Sequence, residues 1–283
     1  MTATGRRGTT VGALDGTVAV VAGASRGIGK GIALELGAAG AHVVVSGRTL
    51  RAQPGGQPGS LEETAAEIIA AGGSATPARC DFTDDGDVAA LFGAVRDEHG
   101  SLDILVNSVF NAHEFGASIG RRFWELPVDL WREVVDVGSR SAYVAAVHAA
   151  PLLLGSQRGL IVNVSGRAAE RYRYNVAYGV GKAALDKMTR DMADELRDDA
   201  VAVVSIWPNV TRTENIDASS AGSSAAYGDL DLLETPRYSG RTVVALASDD
   251  GVMERTGGRY WVAELALEYG LTDENGRSHP IPE

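Results

Sequence analysis

Short β-branched runs alternate along most of this chain with longer stretches in which apolar residues recur at helical spacing. Val18–Ala22, His42–Ser46, Ser74–Cys80, Leu102–Asn107, Leu160–Val164, Val201–Trp207 and Gly258–Ala263 read as strands. Between them, Ile28–Ala39, a segment opened by Ser60, Asp84–His99, Pro127–Leu154, Val176–Leu196 and Pro236–Ser248 read as helices. Ser60 with Glu63 three positions later is a capping-box pattern, and Gly72-Gly73 closes the helix it starts. The strands are continuous apolar runs, not alternating ones, which is the mark of a parallel sheet covered on both faces. The pattern predicts a single doubly wound α/β Rossmann-type domain over 15–283, with a seven-stranded parallel sheet. Residues 1–14 read as a flexible arm. Asn111–Leu126 is irregular, and the Ser/Ala/Gly-rich stretch 211–234 reads as a mobile loop.

Composition narrows the classes of function. A net charge of −11 without any basic run argues against nucleic acid as a partner. No apolar run approaches 18 residues, so no membrane span is expected, and the first residues have no apolar core of a secretory signal. One cysteine, Cys80, leaves no internal disulfide and no cysteine-based zinc site, and a reducing cytoplasmic setting is expected. The five histidines lack metal-ligand spacing, so no metal site is expected. Asp84, Asp85 and Asp87 read as the acidic start of a helix.

Candidate chemistry enters right after the first strand, at Gly23-Ala-Ser25-Arg26-Gly27-Ile28-Gly29. A strand, a tight glycine turn and a helix N-terminus let backbone N–H groups approach a pyrophosphate closely. The spacing is G-x3-G-x-G. At the end of the second strand, Ser46-Gly47-Arg48-Thr49 has no carboxylate to hold a ribose 2′-hydroxyl. Arg26 and Arg48 instead suit a 2′-phosphate, so NADP(H) is preferred and NAD(H) is possible.

Tyr178 and Lys182, four apart, share one helix face, and Ser165 stands thirteen residues before the tyrosine. A phenol with a pKa of ~10 is a poor proton donor at neutral pH. A nearby ammonium favours the phenolate and could bring Tyr178 into working range, with the serine hydroxyl bonding a substrate oxygen.

Together these residues resemble the short-chain dehydrogenase/reductase family from about Thr17 to Tyr269. The likeness is greatest to its member 1 dehydrogenase/reductase subgroup, on Phe123-Trp-Glu-Leu-Pro127, Asn175–Ala184, Ser205-Ile-Trp-Pro208 and Glu268–Arg277. The resemblance implies an oxidoreductase interconverting a carbonyl and an alcohol. Tyr178 would be general acid/base, Lys182 would hold the nicotinamide ribose and lower the tyrosine pKa, and Ser165 would position the substrate oxygen. It also implies cofactor contacts from Asp81, with Cys80 beside it, from Asn107, and from Val164, Pro208, Thr211 and Thr213. A dimer or tetramer through helices 127–154 and 176–196 is implied, and a lid over the substrate at 211–234.

The chain departs from the family pattern at Ala22, at Asn107-Ser-Val-Phe110, at Pro208-Asn209 and at Gly138, where a catalytic asparagine is usual. The single Ser165-Gly166 stands where a serine pair is common. These departures keep open a catalytically weak cofactor-binding sensor as the alternative to an enzyme. Arg167, Arg171, Tyr172, Arg173 and Tyr174 could meet an anionic substrate, but a solvated or interface loop is favoured. Phe110 and Phe115 could wall an apolar pocket, while Phe123 and Trp124 are expected to anchor the following helix to the core.

Overall fold

The computed structural model describes residues 12–111, 118–220 and 229–282, without the side chains of 218–220. Residues 1–11 of the arm expected over 1–14, His113, Phe115 and the middle of the 211–234 stretch lie outside the described residues, whereas Leu14 is buried and donates its N–H to the Ala39 carbonyl. Seven strands form one sheet in the order β3-β2-β1-β4-β5-β6-β7. They are β1 (Val18–Ala22), β2 (His42–Gly47), β3 (Ser74–Arg79), β4 (Ile104–Asn107), β5 (Leu160–Val164), β6 (Ala202–Trp207) and β7 (Arg259–Trp261). The pairs β1–β2, β2–β3, β4–β5 and β5–β6 are parallel. Consecutive residues of β2, β4, β5 and β6 are buried almost without exception, so both faces of these strands are covered. β3, at the sheet edge, is only partly covered and tolerates Pro77, which cannot donate to a ladder.

The elements group into two compact units. One holds Met1–Arg79, Pro208–Val252 and Tyr260–Glu283, and the other Cys80–Trp207 and Met253–Arg259. In the first, α1 (Gly27–Ala38) and α2 (Leu61–Ala70) follow β1 and β2, and Ser60 caps α2 by accepting from the Glu63 amide, as its capping pattern predicts. A short α6 (Glu214–Ser220), α7 (Pro236–Ala247) and α8 (Val262–Tyr269) complete it. α1 crosses α7 at two glycines. A Cβ on Gly31 would lie 2.2 Å from the Pro236 carbonyl carbon, and one on Gly240 would lie 2.6 Å from the Gly31 oxygen.

The second unit carries α3 (Asp85–His99), capped by the Asp84 carboxylate, α4 (Ser141–Leu153) and α5 (Val176–Leu196). The pattern predicted one helix over 127–154. The structure has a nine-residue π-helix (Arg132–Arg140) leading into α4, a widened winding that helical periodicity does not distinguish from an α-helix. Ser139 Oγ donates to the Gly181 carbonyl at 2.8 Å, joining the π-helix to α5.

Other boundaries also differ from the pattern. The polar stretch after β6 is not a plain loop: it contains α6 and a 3-10 turn at Leu230–Leu232, and Thr211 bridges Glu234. The run 258–263 is strand only through Trp261 and then continues as α8, whose Glu264 caps its start. Phe123 and Trp124 do not anchor a helix to the core. They sit on a 3-10 turn, 64% and 62% exposed, edge to face with each other.

The glycine crossing gives a paired stability prediction. Gly31→Val should cost at least about 1–3 kcal/mol through overpacking against α7. Gly138→Ala meets no atom within 4 Å and should be neutral or stabilising by about 0.5–1 kcal/mol. Urea midpoints of the two variants check this, and equal midpoints would refute the close-packed crossing.

Candidate active site

The first unit contains the glycine turn and the arginines. Gly27 has φ +58°, and a Cβ on Gly29 would fall 2.2 Å from the Gly23 carbonyl oxygen, so the turn admits no side chain there. Ser25 is buried in this turn. α1 begins without a side-chain cap from its N-cap residue Arg26 and without an acidic residue in its first turn. Its N–H groups therefore lack the usual local partners. One of them, Gly27 N–H, donates to Glu214 Oε2 at 2.8 Å, and the Thr213 methyl lies 3.4 Å from where a Gly27 Cβ would stand.

Arg26 does not present a free fork to a phosphate. Its Nε and Nη2 donate to the carbonyls of Pro58 (2.7 Å) and Gly59 (3.0 Å), so it braces the loop before α2. Burial pushes its guanidinium below the ordinary value, and the Glu214 carboxylate opposes that shift. Arg48 instead lines a cavity of about 420 Å³ with Thr49, Leu50, Arg51, Gln53 and Arg79. Three guanidinium groups line it, of which Arg51 is paired with Glu62 Oε1 at 2.7 Å, and a lining of net positive charge suits a phosphate monoester. Beyond β6, Asn209 N–H donates to the buried Glu234 carboxyl, which burial pushes up to about 8, and Thr211 Oγ1 donates to the Asn209 carbonyl.

The second unit contains the proton-transfer candidates. Asn175 caps α5 by accepting from the Tyr178 amide at 2.9 Å, and its own amide donates to Ser118. Tyr174, just before it, has φ +67°, a conformation uncommon for a bulky residue. Its ring lies 5.5 Å from that of Tyr178, and Phe110 lies 5.8 Å away, both edge on. Phe110, standing where glycine is usual, thus forms one side of the tyrosine's enclosure. Lys182 Nζ donates to the Val164 carbonyl at 2.9 Å and sits 5.7 Å from the centres of both the Tyr178 and Phe110 rings. Ser165 Oγ donates to the Lys182 carbonyl at 3.0 Å, which ties β5 to the same turn of α5.

Burial governs the protonation of this group. It pushes the Tyr178 phenol well above its ordinary value, reinforced by Tyr174 and opposed by Arg173. It pushes the Lys182 ammonium down to about 8, against the charge of Asp186. Both side chains keep partial surface exposure as whole residues, but their titrating tips are packed about by protein, and the tips set the direction of the shift. Burial is the largest influence on Tyr178, and the expected lowering by the lysine is not among the influences on it.

Asn107 Nδ2 donates to Asn163 Oδ1 (2.9 Å), Asn163 Nδ2 donates to Thr189 Oγ1 (2.9 Å), and Thr189 donates to the Leu185 carbonyl. Asn107 Oδ1 is buried without a hydrogen-bond partner, an acceptor that a bound ligand could satisfy. Asp81 Oδ1 accepts from Thr83 N–H and hydroxyl, and Cys80 is a fully buried thiol. The Arg167–Tyr174 segment is partly engaged: Glu170 pairs with Arg259 at 2.5 Å, and Arg173 stacks over Tyr174. No group of metal-binding side chains occurs among the described residues.

Sequence reading missed Asn163, Thr189, Asp186, Glu214 and Arg79. Asp186 was within reach, one turn beyond Lys182 on the same face. Its Oδ1 accepts from Ser205 Oγ (2.7 Å) and Trp207 Nε1 (3.3 Å), contacts that no spacing announces.

A glycine turn at a helix start, a parallel sheet in this strand order and a Ser/Tyr/Lys group define an α/β nucleotide-binding oxidoreductase. The comparisons narrow that class. The model of the family described as short chain dehydrogenase matches residues 17–223. The chain is 38% identical over 277 residues to Dehydrogenase/reductase SDR family member 1 of Mus musculus, covering 94% of this chain and 86% of that protein. It is 38% identical over 274 residues to the Homo sapiens protein of that name, covering 93% and 85%. A metagenomic short-chain oxidoreductase solved in complex with NADP is 29% identical, with a TM-score of 0.68, over 84% of this chain and 93% of that one. The chain belongs to the short-chain dehydrogenase/reductase family of NAD(P)-binding oxidoreductases.

The shifted lysine sets a pH signature. An unfolded chain keeps its ammonium protonated to ~10.4, whereas native Lys182 releases its proton near 8. Between those values the unfolded state binds more protons, so this residue makes stability rise with pH there. Lys182→Met should flatten that rise when urea stability is measured from pH 8 to 10. An unchanged slope would show that Lys182 is not buried as described.

Proposed function

We propose that this chain is an NADP(H)-dependent oxidoreductase that interconverts a carbonyl and an alcohol by hydride transfer. The observation that carries the reading is the enclosed Tyr178–Lys182 pair, one helical turn apart, with Ser165 bonded to the same turn. A bound nicotinamide would supply or accept the hydride. In reduction, Tyr178 Oη gives its proton to the substrate oxygen, and in oxidation it takes that proton back. Lys182, its Nζ 5.7 Å from the Tyr178 ring centre, would steady the phenolate as the proton leaves, and Asp186 favours the charged lysine against its burial. Ser165 turns its hydroxyl from the Lys182 carbonyl to the substrate oxygen. Phe110 and Tyr174 border Tyr178 with apolar edges, which favours a substrate with an apolar or aromatic group beside its carbonyl.

The glycine turn Gly23–Gly29 would hold the pyrophosphate, with Pro208, Thr211 and Thr213 on the nicotinamide side. Arg48, with Arg51 and Arg79 in the same cavity, would hold the 2′-phosphate. Asp81, with Cys80 beside it, would contact the adenine, Asn107 would support the cofactor, and Val164 would stand near the nicotinamide. The 211–234 segment would serve as lid.

Self-association through 127–154 and 176–196 belongs to the same proposal. Tyr143, Val147 and Leu154 recur at helical spacing and stay exposed, as do Val176 and Val180. A reducing cytoplasmic setting is consistent with one buried thiol and with no described helix long and apolar enough to cross a membrane.

A panel of ketones, aldehydes, steroids and quinones, run with NADPH and NADH side by side, tests the reading. Carbonyl-dependent NADPH oxidation should appear, and Tyr178→Phe should lower it by about 10²-fold or more while NADPH still binds. Arg48→Glu should weaken NADPH binding about tenfold or more and leave NADH little changed. No turnover anywhere in the panel would leave a cofactor-binding sensor, and a strong NADH preference would overturn the arginine argument.

A further inference from the structure

The Glu214 carboxylate lies at the start of α1, beside the glycine turn. Glu214 Oε2 accepts from Gly27 N–H at 2.8 Å, across 187 residues of chain. The local sequence offers α1 nothing similar, since Arg26 makes no side-chain cap and the first turn has no acidic residue. Glu214 therefore supplies from afar the negative charge that a helix N-terminus favours. Its own segment is anchored close by. Arg212 bonds Asp217 (2.9 Å) and Asp231 (2.8 Å), and the Arg212 amide donates to the Glu234 carbonyl. Thr213, adjacent to Glu214, packs its methyl group where a Gly27 side chain would be.

A carboxylate and a pyrophosphate oxygen ask the same thing of this turn, an N–H donor and the positive end of the helix dipole. Both cannot have the Gly27 N–H in full. We infer that Glu214 is an intramolecular competitor of the cofactor pyrophosphate, a latch that holds the 211–217 segment on the glycine turn and is displaced when the nucleotide binds. The inference rests on the proposed nucleotide site and adds to it the residue that limits its affinity. Binding the cofactor then releases the segment that follows β6, so site occupancy and the position of that segment are coupled by one exchange of acceptors on one N–H.

Calorimetric titration of the wild-type protein and Glu214→Ala separates the possibilities. The probes are NADPH, inorganic pyrophosphate and adenosine 2′-monophosphate, the last of which has no phosphate on its 5′ side. The alanine variant should bind NADPH and pyrophosphate about three- to tenfold more tightly, the effect of removing one charge from a helix terminus. Adenosine 2′-monophosphate should bind both proteins equally within about twofold, because it needs the arginine cavity alone. Glu214→Gln, with the shape kept and the charge removed, should fall between the two. Unchanged or weaker NADPH binding in Glu214→Ala would overturn the latch while leaving the nucleotide site standing. Equal tightening of all three probes would also overturn it, since that is a general charge effect. Failure of NADPH to bind any of the folded proteins, with fold checked by circular dichroism, would remove the nucleotide reading and the latch with it.

Discussion

Strands covered on both faces admit a polar side chain only where a buried partner answers it, and this constraint arranges the rest of the molecule. Most side chains of β2, β4, β5 and β6 are spent on packing, with Asn163 and Ser205 as hydrogen-bonded exceptions, so the candidate functional groups come where the strands end. The glycine turn follows β1, Arg48 follows β2, Asn107 closes β4, Ser165 follows β5 and Thr211 comes after β6. Polar atoms at such ends are buried but not paired by a sheet ladder, and an unpaired buried group costs about 1–3 kcal/mol. The amide relay from Asn107 through Asn163 to Thr189 answers that cost at β4 and β5. The Ser165 and Lys182 contacts to backbone carbonyls do the same one strand end further on.

The same burial tunes the titrating groups, and it moves them apart. Desolvation favours the neutral form of both members of the Tyr178–Lys182 pair, raising the phenol and lowering the ammonium. The protein opposes the first through Arg173 and the second through Asp186, itself buried and held by Ser205 and Trp207 on β6. Its carboxylate thereby supports the lysine charge from one turn away. A phenol kept protonated beside a lysine balanced near 8 suits a proton donor that must not ionise before its substrate arrives.

Packing separates two arginines that the sequence presents as a pair. Arg26 and Arg48 look equivalent in the sequence, two arginines near a glycine turn and a strand end. Packing assigns them different work: Arg26 fastens the 58–59 backbone, and Arg48 joins Arg51 and Arg79 around a cavity. The distinction comes from the loop before α2, whose carbonyls need donors and take the nearer guanidinium.

Much of the framework was legible in the sequence because it is written in local terms. Helical and strand periodicity located the sheet, Ser60 announced its cap, Asp84 announced the acidic start of a helix, and the spacing of Gly23, Gly27 and Gly29 announced a tight turn, one with no space for a side chain at Gly29. The Tyr178–Lys182 spacing placed both on one helix face because a helix has a fixed pitch. Where signals were ambiguous locally, the reading failed: the π-winding at Arg132–Arg140, the helix after Trp261, and the outward-facing Phe123 and Trp124. What only the tertiary structure decided is which polar atom answers which. Glu214 reaches Gly27 from 187 residues away, Asp186 finds Ser205 and Trp207 on a neighbouring strand, and desolvation sets the Tyr178 phenol against its lysine. A linear sequence specifies the groups and their spacing, but the burial that fixes their charge and their partners exists only once distant segments have packed.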